Sequence, residues 1–259
     1  MRRSRFLATA SLLLLISIPT GCETVPYTGR SQIQLVSPSE EAQMGIQSYQ
    51  EIVGKATLST DPQANALAQR VGSRIAAVTG LDYKWEFRVI QDDKQANAFA
   101  LPGGKVAVYT GILPITKDEA GLAAVLGHEI GHVVARHGGE RVSQQMGVQT
   151  VTQLLAGMAS SNPATVQMVS SALGVGAQYG VLLPWSRQQE SEADHIGLIL
   201  MAKAGYDPHA SLEFWKRMQA AAQGQRPPEY LSTHPAEATR IQQIQAWLPE
   251  ALTYYKPAR

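Results

Sequence analysis

The chain has 259 residues, of which 44% are hydrophobic and 17% are charged, and its formal net charge is +1. This length and composition are sufficient for one domain with a buried core. The balanced charge, without a basic stripe, excludes nucleic acid as a partner, and the single cysteine excludes an internal disulfide.

Residues 1–21 have the pattern of a secretory signal peptide. Arginines near the N-terminus precede an apolar run at residues 6–18, and this run is shorter than the about 20 residues that a membrane-spanning helix needs. Small residues then lead to Cys22, which resembles the end of a bacterial lipoprotein signal, where the cysteine carries the lipid. Pro19 departs from that pattern, so ordinary cleavage nearby or an uncleaved anchor stays open as an alternative.

The lipoprotein interpretation predicts that Cys22 is the site of lipid attachment and that the mature protein is anchored in the periplasm. Glu23 and not aspartate follows the cysteine, which in bacterial lipoproteins favours the outer membrane. Residues 22–36 are then a tether or N-terminal arm, because Pro26 and Gly29 interrupt any regular pattern.

Two helices are predicted after the tether. Ser37 and Glu40 have the spacing of a capping box, so the first helix begins there and ends at about Gly54. Asp61, followed by a proline, opens the second helix, which ends near Gly80.

The middle of the chain is predicted to contain a small sheet and then the central helix. Residues 84–90 (KWEFRVI) and 105–111 (KVAVYTG) alternate between polar and apolar side chains, which predicts two β-strands. A capping box at Thr116 and Glu119 begins the helix that carries the sequence VLGHEIGHVVARH.

Further helices are predicted near the C-terminus, from Asp207 onward and from Glu237 to about Leu248. The order of two helices, a small sheet and more helices predicts an α+β fold in which helices dominate. Residues 37–259 are expected to form this one domain.

The central motif is His128-Glu129-x-x-His132. At about 100° per residue, His128, Glu129 and His132 share one helix face, and apolar residues occupy the opposite face. Two imidazoles one turn apart can bind zinc, and a carboxylate beside the first can act as general base. The motif therefore predicts a zinc metalloendopeptidase with one zinc per chain, in which both histidines are ligands and Glu129 is the base.

The third ligand must come from elsewhere in the chain. A metzincin would have Gly and His where this chain has Ala135 and Gly138, so that class is excluded. Glu190 and Asp194 are four residues apart and share one face of a second helix. Glu190 is therefore predicted to be the third ligand, and Asp194 is predicted to hold the outer ring N–H of a ligand histidine.

Several neighbouring residues are predicted to lie outside the metal site. His137 falls on the apolar side of its helix and is expected in the core or in a buried hydrogen bond. Glu192 and His195 point away from Glu190's face and are expected at the surface or periphery. Gly127 and Gly131 flank the active face, and their cost in a helix interior indicates that another element packs closely there.

Four segments in this order carry a family resemblance: NAFALPGG, VLGHEIGHVVARH, SRQQESEADHIG and STHPAEATRI. They are similar to the zinc metallopeptidases of the BepA, LoiP, HtpX and CAAX prenyl protease group, which includes the mitochondrial Oma peptidase. The resemblance covers roughly residues 29–248. It implies a zincin-like domain, with zinc bound by His128, His132 and Glu190, and Glu129 as the base.

The same resemblance implies roles for residues that spacing alone does not assign. His234 is expected close to the metal, where it either stabilises the oxyanion of the reaction or occupies the fourth zinc position and holds the enzyme latent. Arg240 is expected to assist catalysis. Asn97 and Ala98 are expected on an edge strand that contacts an extended substrate, although a β-hairpin within the sheet is the alternative.

These expectations combine into a zinc endopeptidase of the bacterial cell envelope. It would cleave unfolded or misassembled envelope proteins in quality control and would be attached to the membrane by the lipid on Cys22. The alternative is a chaperone-like or outer-membrane assembly lipoprotein whose zinc is capped and whose proteolysis is weak or latent.

Overall fold

The structure is a computed structural model, and it describes residues 21–159, 162–177, 182–223, 228–235 and 238–257. The predicted signal peptide, residues 1–21, lies outside this part of the chain except for its last residue. The division of the chain into signal, tether and peptidase domain stays a prediction.

The segment that was expected to be a tether forms a β-hairpin. Strands β1 (Cys22–Thr24) and β2 (Ser31–Ile33) pair antiparallel, with Cys22 opposite Ile33. Gln32 is buried, and its side chain donates a 2.9 Å hydrogen bond to the carbonyl of Ala135. The hairpin therefore packs against the body of the protein.

The first two helices begin where the sequence predicts. Helix α1 (Pro38–Lys55) has the complete capping box between Ser37 and Glu40. Helix α2 (Pro62–Ala76) is capped by Asp61, whose carboxylate accepts a 2.8 Å hydrogen bond from a backbone N–H of the first turn. These starts are local features, so the sequence is sufficient to identify them.

The main sheet has three strands: β3 (Glu86–Ile90), β4 (Ala98–Leu101) and β5 (Lys105–Tyr109). Strand β5 lies in the centre, parallel to β3 and antiparallel to β4, so β4 is an edge strand. Both predicted strands are present as β3 and β5. Alternate residues of these strands are buried in the main hydrophobic core.

The central helix begins differently from the prediction. Thr116 is the last residue of the short helix α3 (Leu113–Thr116), and the backbone then turns through Lys117 at φ 69°. Asp118 is the N-cap of α4 (Glu119–Val134) and accepts a 2.8 Å hydrogen bond from a backbone N–H of its first turn. The predicted capping box at Thr116 is wrong, because the left-handed residue separates it from the helix.

The remaining elements are helical: α5 (His137–Ala159), α6 (Pro163–Ala177), α7 (Leu183–Lys203), α8 (His209–Ala222), α9 (Tyr230–Thr233) and α10 (Ala238–Tyr254). Helices thus dominate two small sheets, and the predicted fold class is confirmed. Among the helices of the described ranges, none has the length and apolar character needed to cross a membrane.

Helices α4 and α7 approach each other through glycines. A Cβ on Gly127 would lie 2.8 Å from the carbonyl oxygen of Gly197, and a Cβ on Gly131 would lie 2.8 Å from the carbonyl oxygen of Ala193. The close packing predicted from Gly127 and Gly131 is therefore confirmed. It brings the two helices that carry the predicted ligands together at backbone distance.

Candidate metal centre

The three predicted ligands converge at the contact between α4 and α7. The Nε2 atoms of His128 and His132 are 3.1 Å apart, and the Glu190 carboxylate lies 3.3 Å from the first and 3.2 Å from the second. Ligand atoms around tetrahedral zinc are about 3.3 Å apart when the bonds are about 2.0–2.1 Å. The arrangement therefore fits a zinc ion.

His234 occupies a fourth corner of this group. Its Nδ1 lies 3.1 Å from His128 Nε2 and 2.6 Å from a Glu190 oxygen. The ligand atoms of His128, His132, Glu190 and His234 all lie within 4.8 Å of one another, and the three histidines are buried.

The hydrogen bonding of His128 makes its inner nitrogen available to a metal. His128 Nδ1 lies 2.8 Å from an oxygen of Asp194, and a carboxylate only accepts, so this nitrogen carries the hydrogen. In the neutral ring Nε2 then has a lone pair, and this lone pair faces the ligand group. A cation at the centre of the ligand group would bind to this lone pair.

Charges and hydrogen bonds within the site counteract the effect of burial on the pKa values of His128 and Glu190. Burial alone lowers the pKa of His128, but the charge of Asp194 and hydrogen bonds to Asp194 and Glu190 outweigh it and raise the pKa to about 9, so a metal ion would displace a proton from Nε2. Burial lowers the pKa of His132. Burial favours a neutral Glu190, but the facing imidazoles outweigh it and lower the pKa of this carboxyl, so Glu190 is ionised.

The predicted base, Glu129, is buried beside the ligands. Its Oε1 accepts a 2.6 Å hydrogen bond from the Tyr230 hydroxyl and lies 3.4 Å from His234 Nε2. Burial and the charge of Glu129 raise the pKa of Tyr230 well above its usual value, so this hydroxyl keeps its proton. Sequence reasoning missed Tyr230, and the available signal was its position one helical turn before His234.

Asp194 and Arg240 form a charged pair behind His128. The Arg240 guanidinium contacts both oxygens of Asp194, at 2.7 and 2.6 Å, and lies 3.4 Å from the ring centre of Trp215. It is 3.6 Å from Glu190. Its closest partner is thus the carboxylate that orients His128, and a direct part in catalysis stays a prediction.

The other predicted site residues, Asn97, Ala98 and Cys22, do not belong to the ligand group of the described residues. Asn97 is half-buried and its side-chain oxygen accepts a 2.9 Å hydrogen bond from the N–H of Ala98, the first residue of the edge strand β4. The Cys22 thiol is exposed at the start of β1. Lipid attachment at Cys22 and substrate contact at Asn97 and Ala98 stay predictions.

Two residues that were expected outside the site are close to it. His137 is buried, as predicted, but its Nδ1 lies 2.8 Å from Nδ1 of the ligand His132. The surface position predicted for Glu192 is wrong: it is 6% exposed and lies 3.0 Å from His137 Nε2. Helix α4 ends before Arg136, whose φ is 58°, so the helical angle used for His137 does not continue to it.

A buried helix that carries two ligand histidines and a glutamate, completed by Glu190 from a second helix, defines a zinc metallopeptidase. The chain belongs to peptidase family M48, whose family model matches residues 62–248. The enzyme class and the zinc cofactor predicted from the sequence are confirmed by this membership.

Individual relatives agree with the family. The chain is 42% identical over 238 residues to the mitochondrial metalloendopeptidase OMA1 of Schizosaccharomyces pombe, covering 90% of this chain and 68% of that protein. It is 32% identical over 256 residues to the OMA1 of Saccharomyces cerevisiae, covering 92% and 72%. It is 30% identical over 228 residues to the β-barrel assembly-enhancing protease of Escherichia coli, covering 85% and 46%.

The predicted location is corrected by these relatives. A periplasmic protein anchored to the outer membrane was expected, but the relatives at 42%, 32% and 31% identity are named as mitochondrial metalloendopeptidases. The periplasmic prediction is therefore wrong. It depended on the N-terminal signal pattern alone, whereas the comparison covers most of the chain.

Proposed function

We propose that this metallopeptidase is an endopeptidase that cleaves unfolded or misassembled proteins in protein quality control. The observation that carries the proposal is the edge strand β4, which packs against the ligand-bearing helix α4. Relatives named as endopeptidases, and one named as a β-barrel assembly-enhancing protease, support it.

Strand β4 offers a backbone surface to an extended peptide. Asn97 pairs with β5, since its carbonyl accepts a 2.9 Å hydrogen bond from Tyr109. In an antiparallel ladder the pairing alternates, so Ala98 and Ala100 direct their backbone groups away from β5. A substrate that adds to this edge is recognised by its extended backbone more than by its sequence, which favours unfolded segments. Asn97 would contact it through the side-chain amide, whereas Ala98 is buried and its N–H bonds to the Asn97 side chain, so contact with Ala98 would require this edge to open first.

The chemistry would depend on Glu129. When bound, zinc supplies Lewis acidity to the attacking water and to the peptide carbonyl. Glu129 would accept the proton of the water and return it to the leaving amine. Tyr230 and His234 both lie beside Glu129, and either would be a candidate to donate a hydrogen bond to the oxygen that becomes negative during the reaction.

A latent, zinc-capped form is the second candidate, because helix α9 and its C-cap His234 occupy two positions that a substrate would need. His234 Nδ1 lies at the fourth corner of the ligand group. The backbone N–H of Tyr230 donates a 2.9 Å hydrogen bond to the carbonyl of Ala96, next to the edge strand. A catalytic zinc site keeps one position open, so His234 as a ligand would make the enzyme inactive until α9 moves.

One cleavage experiment tests both candidates. The full chain is loaded with zinc and incubated with native lysozyme or with reduced and alkylated lysozyme, which have the same sequence but differ in folding. We expect cleavage of the alkylated protein only. Cleavage of native lysozyme at the same rate would contradict a preference for unfolded segments.

Two variants complete the experiment, with zinc content measured for each. Glu129→Gln is expected to lower cleavage by about 10²–10⁴-fold while zinc is retained, because only the base is lost. Cleavage that rises in His234→Ala would support the latent form, and cleavage that falls would support a hydrogen bond to the oxyanion. Unchanged cleavage in Glu129→Gln would contradict its role as base.

A further inference from the structure

The two ligand histidines on α4 differ in what their outer nitrogens contact. His128 Nδ1 meets the carboxylate of Asp194 directly, at 2.8 Å. His132 Nδ1 meets another imidazole, His137 Nδ1, also at 2.8 Å. His137 is fully buried, so its polar atoms depend on protein partners.

The partner of His137 determines which nitrogen carries its hydrogen. His137 Nε2 lies 3.0 Å from Glu192, and a carboxylate only accepts, so Nε2 is the donor. A neutral imidazole that donates from Nε2 has a lone pair on Nδ1, and only one hydrogen fits between two ring nitrogens 2.8 Å apart. His132 must then donate from Nδ1, which leaves the lone pair of its Nε2 directed at the metal centre.

The opposite order of hydrogens would block the site. If His137 donated from Nδ1, then His132 would carry its hydrogen on Nε2, pointing at the other ligands. Arg141 also approaches His132 Nδ1, at 3.4 Å, but its Nε donates a shorter 3.0 Å bond to Gln189. The 2.8 Å contact with His137 is therefore the stronger one.

The N-terminal hairpin holds Glu192 in place. Arg30, in the segment leading into β2, donates from Nε to Glu192 at 2.8 Å, and the Thr28 hydroxyl also donates to this carboxylate. The other end of the Arg30 guanidinium forms two bonds with Glu140, at 2.6 and 2.8 Å. Together with His137, Arg30 and Thr28 satisfy both oxygens of the buried Glu192 carboxylate.

We propose that His137 is a positioning residue for the metal ligand His132, and that Arg30 of the N-terminal hairpin maintains it through Glu192. The chain of contacts from Arg30 through Glu192 and His137 to His132 fixes both the orientation and the tautomer of the ligand ring. The hairpin is thus part of the metal site although it supplies no ligand.

The test measures metal binding and not proteolysis. His137→Leu removes the acceptor for His132, and His137→Asn restores an acceptor next to it. His195→Leu is the matched control, because His195 also pairs with a glutamate, Glu250 at 2.7 Å, but does not contact a ligand. Each full-length protein is titrated with zinc against a chromophoric chelator, and its cobalt(II) absorption spectrum is recorded.

We expect His137→Leu to bind zinc about 10–100-fold more weakly and to shift the cobalt spectrum, because the ring of His132 is free to rotate. His137→Asn should recover most of the affinity, and His195→Leu should match the wild type. Wild-type affinity and spectrum in a folded His137→Leu would overturn the proposal.

Arg30→Met tests the outer part of the chain of contacts and also replaces His137→Leu if that variant does not fold. It leaves every ligand and His137 in place, and we expect zinc affinity to fall by a smaller factor of about 3–10-fold. Unchanged zinc affinity in Arg30→Met would overturn the role of the hairpin.

Discussion

His128 and His132 lie one turn apart on the same helix, yet two different regions of the molecule hold them. Behind His128, Asp194 and Arg240 come from helices α7 and α10, and the carboxylate contacts the ring directly. Behind His132, the ring of His137 lies between the ligand and the carboxylate of Glu192. The positive charge that pairs with Glu192 is Arg30 of the N-terminal hairpin.

The difference shows that two histidines with the same predicted role as zinc ligands can be held in place by different kinds of contact. Behind His128, Asp194 and Arg240 form a short, buried ion pair, and its strength depends on the presence of both charges. The contacts behind His132 depend on the order of hydrogens along two imidazoles, so they are sensitive to geometry more than to charge. Four predictions, in order of decreasing expected effect, test this comparison.

The largest effect is expected from Asp194→Leu. It leaves Arg240 buried without its carboxylate, and breaking a buried pair costs about 3–5 kcal/mol of unfolding free energy. Urea unfolding with a chelator present measures this without the contribution of zinc. Replacing Arg240 by leucine as well should restore most of the stability, and a double variant as unstable as the single one would contradict the ion-pair explanation.

A milder change, Asp194→Asn, separates charge from shape. The amide oxygen still accepts from His128, but the negative charge that supports the ring is lost. We expect zinc affinity to fall by about 10–100-fold, measured by chelator competition. Wild-type affinity would mean that the region behind His128 acts by shape alone.

Alanine at the helix contact should affect both regions equally. Added Cβ atoms on Gly127 and on Gly131 would each lie 2.8 Å from a backbone oxygen of α7, so each variant should lose about 1–3 kcal/mol in urea unfolding. Gly147→Ala is the control, since nothing lies within 4 Å of its added Cβ. That variant should be stabilised by about 0.5–1 kcal/mol, and a loss there would point to a general effect of the substitution.

The smallest effect is expected from Thr28→Val in the hairpin. It removes one hydroxyl bond to Glu192 while Arg30 remains, so the loss should be about 1 kcal/mol of unfolding free energy. Thr150→Val is a matched control on the exposed part of α5, where the hydroxyl bonds to a helix carbonyl. Equal losses in the two variants would contradict a specific role for the hairpin contact.

Much of the site could be predicted from the sequence because its parts repeat at helical spacing. His128, Glu129 and His132 share a face within one turn, and Glu190 and Asp194 do so on α7. The capping box of α1 and the close approach at Gly127 and Gly131 were predictable for the same local reason.

The errors lie where the local pattern stops. The capping box predicted at Thr116 failed because Lys117 adopts a left-handed conformation. The burial predicted for His137 was right, although the similar turn at Arg136 ends the helix from which it was derived. Tyr230 and Glu192 were missed or misplaced because their partners, Glu129 and Arg30, are distant in sequence.

By itself the sequence determined the helix faces of the predicted ligands and of the predicted base, because helical periodicity is set by the backbone and needs no other part of the chain. Only the tertiary structure decided which groups support the outer ring nitrogen of each ligand. These are Asp194 with Arg240 for His128, and His137 with Glu192 for His132. The physical reason is that a buried imidazole takes its tautomer from whatever donor or acceptor the packing brings next to it. That packing joins residues more than 100 positions apart, from the N-terminal hairpin to helix α7.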